Sequence, residues 1–139
     1  MIVKTVIFLR GNNRDDALKI MLPVINAPPN DINADIISMK DYSGEKAAKA
    51  RSCRNLFSHC LENPNSILII NNENHKSSHW DPYLRIMKQM EKSRKSLSLG
   101  LHFGDIDNKL EEFKDAMDIS VVNGEPYSIA SQIISNIPR

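Results

Sequence analysis

Ser66-Ile67-Leu68-Ile69-Ile70, followed at once by Asn71-Asn72-Glu73-Asn74-His75, is the stretch that decides the fold. Four consecutive large aliphatic residues leave no alternation, so both faces of this segment must be buried. That is the pattern of a central strand in a parallel sheet. Parallel sheets place their ligand crevice beyond the carboxyl ends of the strands, and the polar run stands in that position.

Working outward, Val3 to Leu9 reads as a first strand, closed by Arg10-Gly11-Asn12-Asn13. Asn13 is a candidate cap for a helix from Arg14 to Ile25, with Ala17, Leu18, Met21, Leu22 and Ile25 at helical spacing and Pro23 against it. Ala34 to Met39 is a second strand. Asp41 or Ser43 opens a helix from Glu45 to Glu62, with Ala50, Cys53, Phe57, Cys60 and Leu61 inward, and Asn63-Pro64-Asn65 stops it. Beyond the central strand, Asp81-Pro82 reads as N-cap and first position of a helix to about Lys95, with Tyr83, Ile86, Met87 and Met90 inward. Leu97 to Phe103 is a fourth strand. Asn108 and Glu111 have capping-box spacing for a helix to Met117. Ile119 to Val122 is a fifth strand, and a last helix spans Ser128 to Ile137.

Five strand–helix alternations predict a three-layer, doubly wound, five-stranded parallel α/β sheet with right-handed crossovers. At 139 residues the chain is one domain. The expected order is the flavodoxin-like 2-1-3-4-5, with helices 1 and 5 on one face and helices 2, 3 and 4 on the other. Ligands are then expected at the loops after strands 1, 3 and 4.

Composition narrows the function classes. The net charge is +1, with 41% apolar and 25% charged residues, so nothing global points to nucleic acid or membrane. No apolar run approaches the roughly 20 residues of a membrane span. The N-terminus reads as a strand rather than a leader, which gives a cytoplasmic expectation. Cys53 and Cys60 lie seven apart on one helix, about 10.5 Å, beyond the roughly 7 Å that a disulfide bridges. Both read as small core hydrophobes.

No motif identifies a reaction. Arg10, Asn12, Asn13 and Arg14 stand at a helix N-terminus, where free N–H groups and two guanidinium groups suit a phosphate. The Walker and dinucleotide fingerprints both need glycines that this loop lacks. Asn71 and Asn72 add amides, His102 ends strand 4, and Glu73 is the candidate general base. A solvated polar turn explains the same residues and is the simpler reading. His75, His79 and His102 invite a metal, but His75 and His79, four apart, stand in a predicted loop where that spacing fixes no geometry, so neither metal nor cofactor is expected.

Charge is unevenly placed. Lys46, Lys49, Arg51 and Arg54 lie on helix 2, and Arg85, Lys88, Lys92, Arg94 and Lys95 on helix 3. The following segment carries Asp105, Asp107, Glu111, Glu112, Asp115 and Asp118. Lys46, Lys49, Arg54, Arg85, Lys88 and Lys92 are therefore the expected interaction surface, for a partner protein or a second copy. The acidic helix 4 argues against nucleic acid.

Two families share this layout. Phosphoreceiver domains need acids after strand 1 and a phosphoacceptor Asp after strand 3, where this chain has Arg10-Gly11-Asn12 and Asn71-Asn72. The chain also resembles a TIR domain. It is similar in Val6-Ile7-Phe8-Leu9-Arg10, in the Asp41 to Gly44 turn, in the Ser-rich loop with Trp80, and in a short strand 5 before a last helix. Enzymatic TIR domains use a glutamate early in the helix after that Trp. Here Asp81-Pro82-Tyr83-Leu84-Arg85 fills the place, and the first Glu is Glu91. The resemblance thus implies a signalling domain that works by protein contact. The alternative is a nucleotide-like ligand held by the loops after strands 1 and 3.

Overall fold

The computed structural model describes residues 3–28, 32–38, 46–62, 66–91 and 95–135. Strands and helices alternate along the chain: β1 Val3–Arg10, α1 Arg14–Ile25, β2 Asn33–Ile37, α2 Lys46–Leu61, β3 Ser66–Asn71, then α3 Ser77–Gln89, β4 Lys95–His102, α4 Leu110–Ala116, β5 Ile119–Val122 and α5 Pro126–Ser135. The five strands form one sheet, and every pairing is parallel.

The fold class is the expected one, and the strand order is β2-β3-β1-β4-β5. Relative to 2-1-3-4-5, β1 and β3 have changed places. The middle strand is β1, paired with β3 through Val6 to Leu68 and Phe8 to Ile70, and with β4 through Leu9 to Leu101 and Arg10 to His102. The reason lies in the residues. Val6, Ile7, Phe8 and Leu9 are as fully buried as Leu68, Ile69 and Ile70. A continuous apolar run marks an interior strand but carries no information about its rank.

The two faces are covered as expected. One core layer packs α2, α3 and α4 on Val6, Phe8, Leu68 and Ile70, through Phe57, Trp80, Tyr83 and Phe113. The other packs α1 and α5 on Ile7, Leu9, Ile69 and Leu101, through Leu18, Met21, Ile129 and Ile133. Cys53 is fully buried within 3.0 Å of the Tyr83 hydroxyl, Cys60 is half-buried, and neither is in a disulfide. Burial pushes the Tyr83 phenol and the Cys60 thiol above their ordinary values. No helix among the described residues is long and apolar enough to cross a membrane.

Three helix starts differ from expectation. α3 begins at Ser77, four residues before Asp81, and encloses Pro82. Trp80 is drawn in with it, 1% exposed and edge-on to Phe113 at 5.5 Å. The proline lies within two turns of the helix start, where only the bond to Ser78 is lost. α4 has no capping box: Lys109 is its N-cap, without a side-chain cap. Asp107 instead accepts the Lys109 N–H at 2.8 Å. α5 starts at Pro126, with the Glu125 carboxylate capping the Tyr127 and Ser128 N–H groups at 3.0 and 2.7 Å. The proposed caps Asp41 and Ser43 lie outside the described residues.

Ile69 has no exposure, in the core layer under α1 and α5. Ile69→Asp would bury an unpaired charge at a cost of order 4 kcal/mol or more, close to the whole stability of a domain this size. Circular-dichroism melting is expected to show no cooperative transition for Ile69→Asp. Ile20→Gln, at a half-exposed position of α1, is expected to melt like the wild type.

Candidate functional site

Strand order creates the site. The chain leaves β1 for α1 on one face of the sheet and leaves β3 for α3 on the other. Because β1 and β3 are neighbours, their carboxyl ends part at a topological switch point. A crevice of about 410 Å³ opens there, lined by Arg10, Gly11, Asn12, Arg14, Glu73, His75, Asp105 and Asp107. The loops after β1, β3 and β4 all contribute, as the sequence implied.

Arg10 is the centre of the site and is 1% exposed. Its Nη1 and Nη2 donate to Oδ2 and Oδ1 of Asp107, both at 2.7 Å, in a two-pronged pair. Nε donates to the Asn74 carbonyl at 2.9 Å. Nη1 also lies 3.1 Å from Nδ1 of His102. The other ring nitrogen, Nε2, is 2.8 Å from the Asp105 carbonyl. A carbonyl only accepts, so Nε2 carries the hydrogen and Nδ1 receives the Arg10 bond. The guanidinium also lies 5.8 Å from the centre of the Phe113 ring. The Arg10 hydrogen bonds hold the Asp107 carboxyl well below the usual carboxylate range.

Asn74 ties the loop after β3 to both strands. It is fully buried with φ +48°, a left-handed conformation that asparagine tolerates. Its side-chain amide donates to the Leu9 carbonyl at 2.6 Å, and Ile70 O lies at 3.5 Å.

The loop after β1 is only Gly11-Asn12-Asn13, and it is zipped to the end of β4. Phe103 N donates to Arg10 O at 2.8 Å, and Asn13 N donates to Phe103 O at 2.9 Å. Gly11 has φ +106°, and a Cβ there would stand 2.0 Å from the Phe103 carbonyl oxygen. Only glycine fits. Asn12 Oδ1 accepts the Asp105 N–H at 2.9 Å.

The other candidates divide between internal bonding and the crevice. Asn13 is exposed and makes no side-chain cap. Arg14 is half-buried; its Nε donates to Asn71 Oδ1 and its Nη1 to Gly11 O, each at 3.1 Å. Asn71 in turn donates to Asp15 in the first turn of α1 at 3.1 Å. Asn72 hydrogen-bonds Tyr83. His102 is buried behind Arg10 and does not line the crevice. Glu73 is exposed on the crevice wall with no hydrogen-bond partner among the described residues. His79 Nδ1 accepts the His75 N–H at 3.1 Å. Sequence reasoning missed two residues that govern the site. In the sequence Asp107 stands out only as one acid of the acidic segment, and Asn74 only as part of the polar run after the central strand. The signal for Asp107 is an acid just past the strand beside a buried arginine, and it requires the strand order.

On the expected interaction surface, Arg85 and Lys88 are exposed and Arg54 is half-buried. The side chains of Lys46, Lys49 and Lys92 lie outside the described residues. Asp118 leaves the acidic patch for an internal role, accepting from Ser98 N at 2.8 Å and Ser98 Oγ at 3.1 Å.

No protein-family profile matches the chain, and no curated protein does. Solved structures do. The Mycobacterium tuberculosis APS kinase CysC is similar over 96% of both chains, with TM-score 0.58 and 11% identity. A de novo designed protein is similar over 96% of this chain and 90% of its own, with TM-score 0.51 and 14% identity. The likeness is one of fold. A phosphate-wrapping Walker loop does not follow β1. A Walker loop needs Gly-x-x-x-x-Gly-Lys-Ser/Thr between strand and helix. Three residues stand there, and α1 then opens with Arg14-Asp15-Asp16, whose acids oppose an anion.

Removing the charge of Asp107 leaves a buried guanidinium half-paired. Asp107→Asn is expected to lose about 2–3 kcal/mol at pH 7. The carboxyl is depressed in the folded state, so its stabilisation is present above the unfolded value near 4 and falls away as pH drops through the acid range. The stability gap between wild type and Asp107→Asn, read by urea titration, is therefore expected to narrow below about pH 4.

Proposed function

We propose that this chain is a protein-contact domain, of signalling or regulatory type, built on a nucleotide-kinase-type sheet without phosphoryl-transfer chemistry. One observation carries the reading: the buried cation of the crevice, Arg10, is engaged by the chain's own Asp107 carboxylate. A phosphate arriving there meets a guanidinium already neutralised. It also meets the carboxylates of Glu73 and Asp105 on the crevice wall. The surfaces left for recognition are the charged outer faces of α2, α3 and α4.

A second reading has its own support. The crevice sits at the switch point, and the fold is shared with an APS kinase. A nucleotide-like ligand would then use Arg14 and Glu73, whose side chains face the crevice with bonding capacity to spare.

Thermal shift separates the two. A ligand at about 100 times its Kd adds about 2.7 kcal/mol, which raises the Tm of a domain this size by roughly 10 °C. ATP, ADP, GTP and AMP, each at millimolar concentration with Mg²⁺, are expected to leave Tm unchanged. A rise that disappears in both Arg14→Ala and Glu73→Ala would replace the contact reading with the nucleotide one.

A further inference from the structure

The helices that carry opposite charge lie side by side on one face of the sheet. Trp80 of α3 packs edge-on against Phe113 of α4 at 5.5 Å, while Phe57 of α2 packs against Tyr83 on the other side of α3 at 5.0 Å. The layer therefore runs α2, α3, α4. α2 contains Lys46, Lys49, Arg51 and Arg54 and no acid. On α3, Arg85 and Lys88 are exposed, one turn apart, with no ion pair among the described residues. On α4, Glu112 and Asp115 are exposed and have no ion pair among the described residues, while Glu111 is taken by Lys114 at 3.3 Å. A cationic ridge thus adjoins an anionic one.

We propose that the α3–α4 surface is a two-fold docking site for a second copy of this chain. The inference rests on the protein-contact reading and names its partner. Both charges on one surface suit a two-fold arrangement. A two-fold axis along the groove between α3 and α4, in the plane of contact, lays α3 of each copy on α4 of the other. The cationic ridge of each copy then lies along the anionic ridge of the other, once on each side of the axis. An axis across the helices would set like charges on like. A head-to-tail arrangement would satisfy one pair per contact and leave an open chain; the two-fold arrangement closes at two copies. Exposed pairs of this kind act over about 8–10 Å and are weakened by salt.

Sedimentation velocity on the full chain over a range of concentrations tests this. A dimer that does not grow further is expected at low salt, with Kd rising about tenfold or more towards 0.5 M salt. Arg85→Glu with Lys88→Glu makes both ridges acidic, and Glu112→Lys with Asp115→Lys makes both basic. Each variant alone is expected to be monomeric, and an equimolar mixture to form a one-to-one dimer. That rescue also shows that both variants are folded. A wild-type monomer at all salts, a dimer indifferent to either reversal, or growth into longer oligomers would overturn the proposal. The nucleotide titration judges the contact reading independently of these outcomes.

Discussion

A guanidinium taken out of water needs acceptors for most of its five N–H groups, and the position of Arg10 turns that requirement into architecture. The acceptors come from two connections: Asn74 O after β3, and His102 Nδ1 with the Asp107 carboxylate at the end of β4 and beyond. All of them lie far from Arg10 in sequence. Burying Arg10 at the end of the middle strand therefore closes the β3 and β4 loops over β1, and Phe113 beneath the guanidinium holds the start of α4. Such a pair contributes little net energy over an apolar core, because desolvation offsets the attraction. Its effect is specificity. The loops have one arrangement that leaves no charge alone, so the shape of the crevice follows from that pairing.

The sequence showed the element pattern, the parallel sheet and both core layers because these depend on local periodicity. Ala17, Leu18, Met21 and Ile25 repeat at helical spacing whatever they pack on. Strand rank does not depend on local pattern. β1 and β3 have equivalent buried runs, so nothing within either segment says which takes the centre. The helix starts failed for a related reason. Asp81-Pro82 is a sound start signal, and it was overridden because burying Trp80 against Phe113 draws another turn into α3. The crevice loops could be located in advance, but the roles of their residues could not. Arg10 reads as a ligand group until Asp107, 97 positions away, is brought to 2.7 Å.

Fold likeness and site chemistry separate cleanly in this molecule. An APS kinase and a designed protein are similar in fold, and in this chain the loop between β1 and α1 has three residues and no Walker motif. Fold likeness does not carry phosphate chemistry across. The residues at the crevice decide it, and here they include an arginine engaged by Asp107 beside a helix that opens on acids.

The zipper between the β1 loop and Phe103 bears on how this scaffold could be re-engineered. Phe103 gives its N–H to Arg10 and receives the N–H of Asn13, so the β1–β4 ladder continues past the last residue of each strand. Gly11 is pressed against that backbone with no room for a side chain. Grafting a longer anion-wrapping segment in place of Gly11-Asn12-Asn13 would therefore be more than an insertion into a surface turn. It would unpair the end of β4, free the Asp105 N–H from Asn12 and shift the loop that carries Asp107. A usable graft has to replace the β1 and β4 connections together.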